Sequence, residues 1–379
     1  MPAIRRPFAH SLAAISTLML TAPACAAETA PTQTIVGGLA RAADRPLEEI
    51  EGVASHYGVF ETTDGAQLRT IIAIPESAAE PLHPLLFTQW VSCGSIEYRE
   101  GSEAREILAA LARSSGLALV RVERAPDGDS VGPACNELDY DTEVAHYIEA
   151  FDALLKDPRL DASSVFLYGS SLGSTTAPLV AEALQSRGHA IGGVAIQGGG
   201  AETYYERMLT FDRHYLERRP GAVAPADIHD EMIARARFHY EYLIEDRLPD
   251  DIAKDSPEMA AVRADVLGLG ENDHYGRPFA WHQQAAKHNF LAAWATVDAP
   301  VLVVFNEFDQ FEARYGHQVI TDVVNRLRPG TATFIEQKNI GHSNMRYDDI
   351  VEAYPREGGE PAWRETADVM VNWFSNIVQ

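Results

Sequence analysis

Two serines lie between two glycines in the stretch VFLYGSSLGSTTAPLV, residues 165–180. The segment GSSLG, Gly169–Gly173, matches the pattern G-x-S-x-G and places Ser171 at its centre. An apolar segment precedes the motif and a segment of small residues follows it. This order predicts a strand, a tight turn and a helix, the arrangement that exposes a nucleophilic serine. Ser170 lies off the centre, and we interpret it as a packing or hydrogen-bonding neighbour; a purely structural turn is the alternative for the whole motif.

A serine hydroxyl becomes a nucleophile only with a general base and a group that orients this base. The stretch PVLVVFNEFDQF carries Glu307 and Asp309 at the end of an apolar segment, and FIEQKNIGHSN carries His342 behind a glycine. Both positions directly follow predicted strands, where catalytic groups gather in parallel sheets. The order therefore predicts Ser171 as nucleophile, Asp309 as orienting acid and His342 as base. Glu307 is the alternative acid.

These motifs, in this order, resemble those of the α/β-hydrolase superfamily of serine hydrolases, and the resemblance covers most of residues 57–379. It implies an oxyanion hole formed by the backbone N–H of Leu172, directly after the nucleophile, and by that of Trp90 or Val91. The sequence departs from the family pattern in the stretch FTQWVSCGS, where Gln89-Trp90 stands in place of His-Gly.

Strand and helix patterns alternate along most of the chain. Apolar stretches such as LALVRVE, SSVFLYG and APVLVVF predict buried strands, and stretches such as EAREILAALARSSG predict helices. The stretch YGVFETTDGAQLRTIIAIPE predicts a hairpin around Asp64-Gly65, and LEEIEGVA predicts a short helix. The alternation predicts an α/β fold with a doubly wound, mostly parallel sheet, and the resemblance implies that this is the α/β-hydrolase fold.

The alternation stops near residue 201 and resumes near residue 298. We expect residues 27–200 and 298–379 to form the catalytic domain, and residues 201–297, which are charged, aromatic and helical in pattern, to form a cap or lid. A cap of this length indicates an enclosed site for a small or medium substrate. Within it, His282 and His288 lie six residues apart, which does not place them on one helix face, so we expect packing there and no metal site.

Residues 1–26 have the parts of a secretory signal peptide: Arg5 and Arg6, the apolar run SLAAISTLML and a segment of small residues. A cytosolic protein with an apolar arm is the alternative. We therefore expect a periplasmic or secreted protein that is not attached to the membrane after cleavage.

Cys93 and Cys135 remain after cleavage, and a disulfide is expected in an oxidising compartment; two unpaired buried thiols are the alternative.

The chain has 379 residues and a net charge of −24, which argues against nucleic acids and anionic lipid surfaces as partners. No cofactor or metal is implied.

We expect hydrolysis of a carboxylic ester of a small or medium substrate through an acyl-enzyme, and the sequence leaves the acyl group, the leaving group and the oligomeric state open. The second hypothesis is a serine peptidase of the aminopeptidase or prolyl-oligopeptidase-like kind, and the third is a non-catalytic binding protein on a hydrolase scaffold.

The second hypothesis rests on acidic residues of the expected cap, since carboxylates could bind the free α-amino group of a short peptide. These acids are Glu202, Glu206, Asp212, Asp230, Glu231 and Glu241.

Overall fold

The computed structural model describes residues 34–42, 46–125, 128–218, 224–354 and 358–378. The described residues from Ile35 onwards belong to one unit. The predicted signal peptide, residues 1–26, lies outside the described residues. Within the described ranges, no helix has the length and apolar character needed to cross a lipid bilayer.

Short strands alternate with longer helices along the described chain. The strands are β1 (Ile35–Val36), β2 (Leu39–Ala40), β3 (Val53–Glu61), β4 (Gln67–Pro75), β5 (Pro84–Thr88), β6 (Ala118–Val122), β7 (Val165–Ser170), β8 (Ile191–Gln197), β9 (Asp273–His274), β10 (Arg277–Pro278), β11 (Val301–Asn306), β12 (Ala332–Gln337), β13 (Met345–Arg346) and β14 (Glu360–Pro361). The helices are α1 (Glu103–Ser114), α2 (Tyr140–Leu154), α3 (Gly173–Ser186), α4 (Tyr204–Arg218), α5 (Pro225–Leu243), α6 (Pro249–Ala253), α7 (Pro257–Asp265), α8 (Phe279–Ala285), α9 (Phe290–Thr296), α10 (Arg314–Leu327), α11 (Ile350–Ala353) and α12 (Trp363–Ile377).

Eight of these strands form the central sheet, in the order β12-β11-β8-β7-β5-β6-β4-β3. Six neighbouring strands of this sheet are parallel: β12, β11, β8, β7, β5 and β6. At one edge, β4 pairs antiparallel with β6, and β3 pairs antiparallel with β4. Interior strands such as β5 and β6 are buried at every residue, because helices cover both faces of a parallel sheet. The predicted mostly parallel sheet is confirmed.

Helices cover the sheet on both faces, as a doubly wound fold requires. Successive side chains of β8 point to opposite faces of the sheet. Val194 belongs to the core under α2, α3 and α10, and Ala195 belongs to the core under α1 and α12. The first core is filled by side chains such as Phe151, Val180 and Ile320, and the second by side chains such as Leu108, Met370 and Phe374.

The predicted hairpin is confirmed, and the predicted short helix is wrong. Gly65 closes the turn between β3 and β4 with a φ of 91°, which only glycine adopts without strain. The segment LEEIEGVA forms no helix; Ile50 instead pairs with Val53 across a tight turn. Glu48 is buried there and accepts a hydrogen bond from Arg121, 2.8 Å away. A buried ion pair thus overrides the local helical pattern.

Between β8 and β11 the described residues form the six helices α4 to α9 and the small hairpin β9–β10. We refer to residues 201–297 as the cap segment. Its side chains, among them Phe238, Tyr242 and Trp281, form a core with Leu172 of the serine motif. Its last helix, α9, instead places Trp294 in the main core beside α3 and α10. The helical pattern is confirmed, and the division into domains stays a prediction.

Candidate active site

Ser171 lies in the turn between β7 and α3 with a φ of 51°, a left-handed conformation that is strained for a residue with a side chain. The turn leaves no room for a side chain at either flanking glycine. A Cβ atom on Gly169 would lie 2.6 Å from the carbonyl oxygen of Gly173, and one on Gly173 would lie 2.0 Å from the carbonyl oxygen of Thr88. The strand, turn and helix predicted around G-x-S-x-G are therefore present, and both glycines are required by close backbone approach.

A chain of two hydrogen bonds joins the three residues that the sequence singled out. The Oγ atom of Ser171 lies 2.9 Å from Nε2 of His342, and Nδ1 of His342 lies 2.7 Å from Oδ2 of Asp309. Asp309 follows β11 and His342 follows β12, so the topology of adjacent parallel strands brings both to the edge of the sheet where the serine turn lies.

Asp309 is held as a carboxylate at this buried position. Burial alone would raise its pKa, but the neighbouring His342 ring and hydrogen bonds from the backbone N–H groups of Phe311 and Glu312 outweigh burial and lower the pKa. The alternative acid, Glu307, points elsewhere: its carboxylate accepts hydrogen bonds from Lys338 and from the backbone of Asn339.

A cavity of about 490 Å³ opens onto Ser171 and His342. Its volume falls in the range of small-molecule sites. The described lining includes Trp90, Val91 and Leu172, together with aromatic side chains of the cap segment and of the loop after β11.

Neither family models nor curated protein sequences match the chain. Solved structures do match. Carboxyl esterase 2 from the fungus Tuber melanosporum has a TM-score of 0.53 at 12% identity, over 89% of this chain and 90% of that chain. DcsB, in complex with its substrate analogue, has a TM-score of 0.52 at 17% identity, over 86% and 99%. Brefeldin A esterase, a bacterial homologue of human hormone sensitive lipase, has a TM-score of 0.50 at 14% identity, over 89% and 80%. The chain has the α/β-hydrolase fold.

In this α/β-hydrolase fold, the three residues whose backbone groups are predicted to hold an oxyanion line the same cavity as Ser171. Leu172 directly precedes α3, so its N–H lies at the positive end of a helix of 14 residues. Trp90 and Val91 follow β5 and line the same cavity. Thr88 anchors this loop to the serine turn, since its hydroxyl donates a hydrogen bond of 2.7 Å to the carbonyl of Gly173. Their role in catalysis stays a prediction.

The predicted disulfide is confirmed: Cys93 and Cys135 are bonded, with Cα atoms 5.9 Å apart. The bond joins the segments that follow β5 and β6, two neighbouring strands of the α/β-hydrolase sheet. Arg277 of the cap segment donates to the sulfur of Cys135 and to the buried carboxylate of Glu143. The disulfide thus lies where the cap segment meets the loop of Trp90 and Val91.

Sequence reasoning missed a buried acid next to the three central residues. Glu312 lines the cavity, and burial raises its pKa to about 8, although Arg207 of α4 lies 3.2 Å from its Oε1 atom and opposes this effect. Glu312 also accepts a hydrogen bond from the N–H of Gly200. Only its place three residues after Asp309 could have drawn attention to it. Its partner Arg207 comes from the cap segment, more than one hundred residues away.

Of the two cap-segment histidines considered as metal ligands, His282 packs in the interior, as expected. His274 and His282 stack with ring centroids 4.5 Å apart, and burial lowers the pKa of His274 to about 3. His288 contacts Asp141 at the surface instead. In the described part of the chain, no three His, Cys, Asp or Glu side chains are grouped so that they could hold a metal ion.

Proposed function

We propose that the protein is a serine hydrolase that cleaves a carboxylic ester of a small or medium substrate. One observation carries the proposal: the hydrogen-bonded chain from Ser171 through His342 to Asp309, which opens onto a cavity of about 490 Å³. A serine in a strained turn, bonded to an imidazole that is oriented by a buried carboxylate, is the arrangement needed for nucleophilic catalysis.

The proposed reaction has two halves. His342 accepts the proton of Ser171 as the serine oxygen attacks the ester carbonyl, and Asp309 stabilises the imidazolium that forms. The N–H of Leu172 and that of Trp90 or Val91 stabilise the oxyanion. His342 then gives its proton to the departing alcohol. Water, deprotonated by His342, attacks the acyl-enzyme and releases the acid and Ser171.

The acids of the cap segment give little support to an amine-binding site. Of the six acids that the sequence offered, none is among the described residues that line the cavity. Asp212, for example, bonds to Arg235 and His239, and Glu241 bonds to Arg237 and Arg247. The acids that do line the cavity are Glu103 and Glu312. A serine peptidase therefore remains the second hypothesis.

The choice of an ester rests on the cavity, with modest support from the comparisons. Two of the similar structures bear the name esterase, but at 12–14% identity the likeness extends to the fold alone, and one fold hosts many reactions. The cavity itself is mainly apolar and encloses a small volume, which fits a compact ester better than an extended peptide.

Substitution of the serine tests the proposal. Ser171→Ala should lower kcat/KM for short-chain esters by ~10⁶-fold, to the level of the remaining binding and oxyanion effects. Ser186→Ala, at the exposed far end of the same helix, is the matched control and should retain wild-type activity. Faster cleavage of aminoacyl amides than of esters would favour the peptidase, and a folded protein inactive on both would favour the binding protein.

We also propose that the protein is exported. The signal-like pattern of residues 1–26 and the disulfide both support export, since disulfides persist in oxidising compartments. Terminal sequencing of protein recovered from the periplasm or medium should show that the first residue lies near position 27. Retention of residues 1–26 on the folded protein inside the cell would contradict export.

A further inference from the structure

Three aromatic side chains form a continuous wall that starts at the catalytic imidazole. Phe311 meets the His342 ring edge-on at 5.0 Å between centroids, Phe211 lies 5.2 Å from Phe311, and Tyr275 lies 6.4 Å from Phe211. All three line the cavity. We call Phe311, Phe211 and Tyr275 the aromatic wall. Phe311 comes from the loop after β11, whereas Phe211 and Tyr275 come from the cap segment.

The position of His342 determines which part of an ester meets this wall. In acyl transfer the histidine must pass its proton to the leaving alcohol, so the alcohol part lies beside the imidazole. The oxyanion points away from it, towards Leu172 and the loop of Trp90. A wall that begins at the His342 ring and extends into the cap segment is therefore on the alcohol side of the reacting carbon.

The cavity also carries polar side chains in its lining. Ser102, Glu103 and Arg105, from the start of α1, line it together with Trp90, and the guanidinium of Arg105 lies 5.6 Å from the centroid of the Trp90 ring. This polar group is linked to the loop that is expected to hold the oxyanion.

The wall is held in place by its surroundings. Phe211 is 9% exposed. Tyr275 has a φ of 52° and stacks on the buried His274 at 4.8 Å. The next residue, Gly276, places its carbonyl oxygen 3.5 Å from the sulfur of Cys93 in the disulfide. Rings fixed in this way favour a flat or bulky apolar ligand, because little ordering remains to be done on binding.

We propose that the aromatic wall binds the alcohol part of the substrate, and that the preferred substrates are esters of alcohols bearing an aromatic ring or a similarly bulky apolar group. This inference rests on the proposed ester hydrolysis. The same wall would select acyl groups if the ester bound in the reverse direction, so the experiment must separate the two ends of the ester.

Three esters separate the two ends: ethyl acetate, benzyl acetate and ethyl phenylacetate. The wild-type protein should cleave benzyl acetate with a kcat/KM at least roughly tenfold above that for ethyl acetate. Phe211→Leu should lower kcat/KM for benzyl acetate by roughly tenfold and leave the two ethyl esters nearly unchanged. Phe238→Leu, a buried cap phenylalanine that is not among the described lining residues, is the matched control and should show no such selectivity.

Transfer of the acetyl group to an added alcohol gives a second readout. The alcohol oxygen attacks the acetyl-enzyme, the bond between the acetyl carbon and Ser171 Oγ breaks, and the alcohol proton passes through His342 to Ser171. Wild-type acetyl-enzyme should therefore partition to benzyl alcohol in preference to ethanol, and Phe211→Leu should lose this preference. Both proteins share one acetyl-enzyme, so a change in partitioning reports on the alcohol site alone.

Several results would overturn the inference. It fails if Phe211→Leu lowers kcat/KM for ethyl phenylacetate and spares benzyl acetate, if the wild type shows no preference for benzyl acetate, or if Phe238→Leu gives the same selectivity change. If Phe211→Leu does not fold, Tyr275→Leu replaces it with the same expected pattern.

Failure of the proposed function would look different, because no ester would then be cleaved by any of these proteins. In that case binding decides: Ser171→Ala should bind benzyl acetate more tightly than ethyl acetate, as followed by the protein's tryptophan fluorescence, to which Trp90 in the cavity lining contributes. Equal binding of the two esters would refute the aromatic wall as a ligand site.

Discussion

At the scale of single residues, three carboxylates follow β11, those of Glu307, Asp309 and Glu312. The hydrogen bond to Nδ1 of His342 is made by Asp309. Asp309 is buried and bonds to His342 at 2.7 Å, whereas Glu307 bonds to Lys338 at the surface. In the proposed mechanism, replacing Asp309 with an amide removes the charge that orients and stabilises the imidazolium, while the same change at Glu307 removes only a surface ion pair.

We therefore expect Asp309→Asn to lower kcat by about 10⁴-fold and Glu307→Gln to leave kcat close to the wild-type value. Steady-state kinetics with one short-chain ester checks both, and circular dichroism shows whether Asp309→Asn keeps its fold. An equal loss of kcat in the two variants would mean that Asp309 is not the acid that orients His342.

The spacing of residues was enough to predict part of this site. Ser171, Asp309 and His342 each follow a recognisable strand, so topology alone brings them to one edge of the sheet. Glu312 and Phe311 could not be assigned in the same way, because their environment is formed by residues of the cap segment. Glu312 pairs with Arg207, and Phe311 packs on Phe211. The packing of the cap segment on the sheet cannot be read from periodicity.

At the scale of elements, the turn between β7 and α3 is the tightest constraint. A Cβ atom on Gly173 would lie 2.0 Å from the carbonyl oxygen of Thr88 in β5, so β5 and α3 would have to separate. We expect Gly173→Ala to destabilise the fold by at least about 3 kcal/mol, the upper range for an overpacked core. Gly94→Ala is the matched control, since a Cβ atom there would meet nothing within 4 Å.

Urea unfolding followed by circular dichroism measures both variants. A transition midpoint for Gly173→Ala equal to that for Gly94→Ala would contradict this expectation. It would show that the turn can widen at no cost, and that the close backbone approach does not make glycine necessary at position 173.

The disulfide is the second constraint at this scale. It closes a loop with a sequence separation of 42 residues, for which the chain-entropy estimate of the stabilisation is about 4 kcal/mol. The double variant with Cys93→Ser and Cys135→Ser should lose most of this free energy of unfolding. Reduced wild-type protein should unfold at the same urea concentration as the double variant, and an unchanged midpoint in both would show that the bond adds no stability.

Most sheet strands and their flanking helices could be predicted from their patterns, because buried parallel strands are apolar runs and their helices are amphipathic. The order of the strands in the sheet was accessible only through the resemblance. The helix expected at LEEIEGVA did not form, because Glu48 turns inward to pair with Arg121. A buried ion pair joining residues 73 positions apart leaves no trace in a local window.

At the scale of the whole molecule, the cap segment brings buried histidines that make stability depend on pH. Burial lowers the pKa of His274 to about 3, and burial also lowers that of His282. In the unfolded chain a histidine binds its proton near pH 6.5. Between pH 6.5 and about 3 the unfolded state therefore binds more protons than the native state, and stability is lost as the pH falls.

Each such histidine should contribute a slope of about 1.4 kcal/mol per pH unit to the free energy of unfolding below pH 6. The raised pKa values of Glu123 and Glu312 act in the opposite direction, so the comparison must be between variants. We expect His274→Gln to flatten the slope between pH 6 and pH 4, and Ser186→Ala, an exposed change that removes no titratable group, to leave it unaltered. Urea unfolding at several pH values tests this; identical slopes in both variants would contradict it.

The central claim is that Ser171 is an activated nucleophile. The most direct test is the intact mass of the protein after reaction with a fluorophosphonate probe, followed by peptide mapping. We predict one adduct, on Ser171, that disappears in His342→Ala. An adduct on another residue, or labelling of Ser171 that persists at the same rate in His342→Ala, would contradict the account.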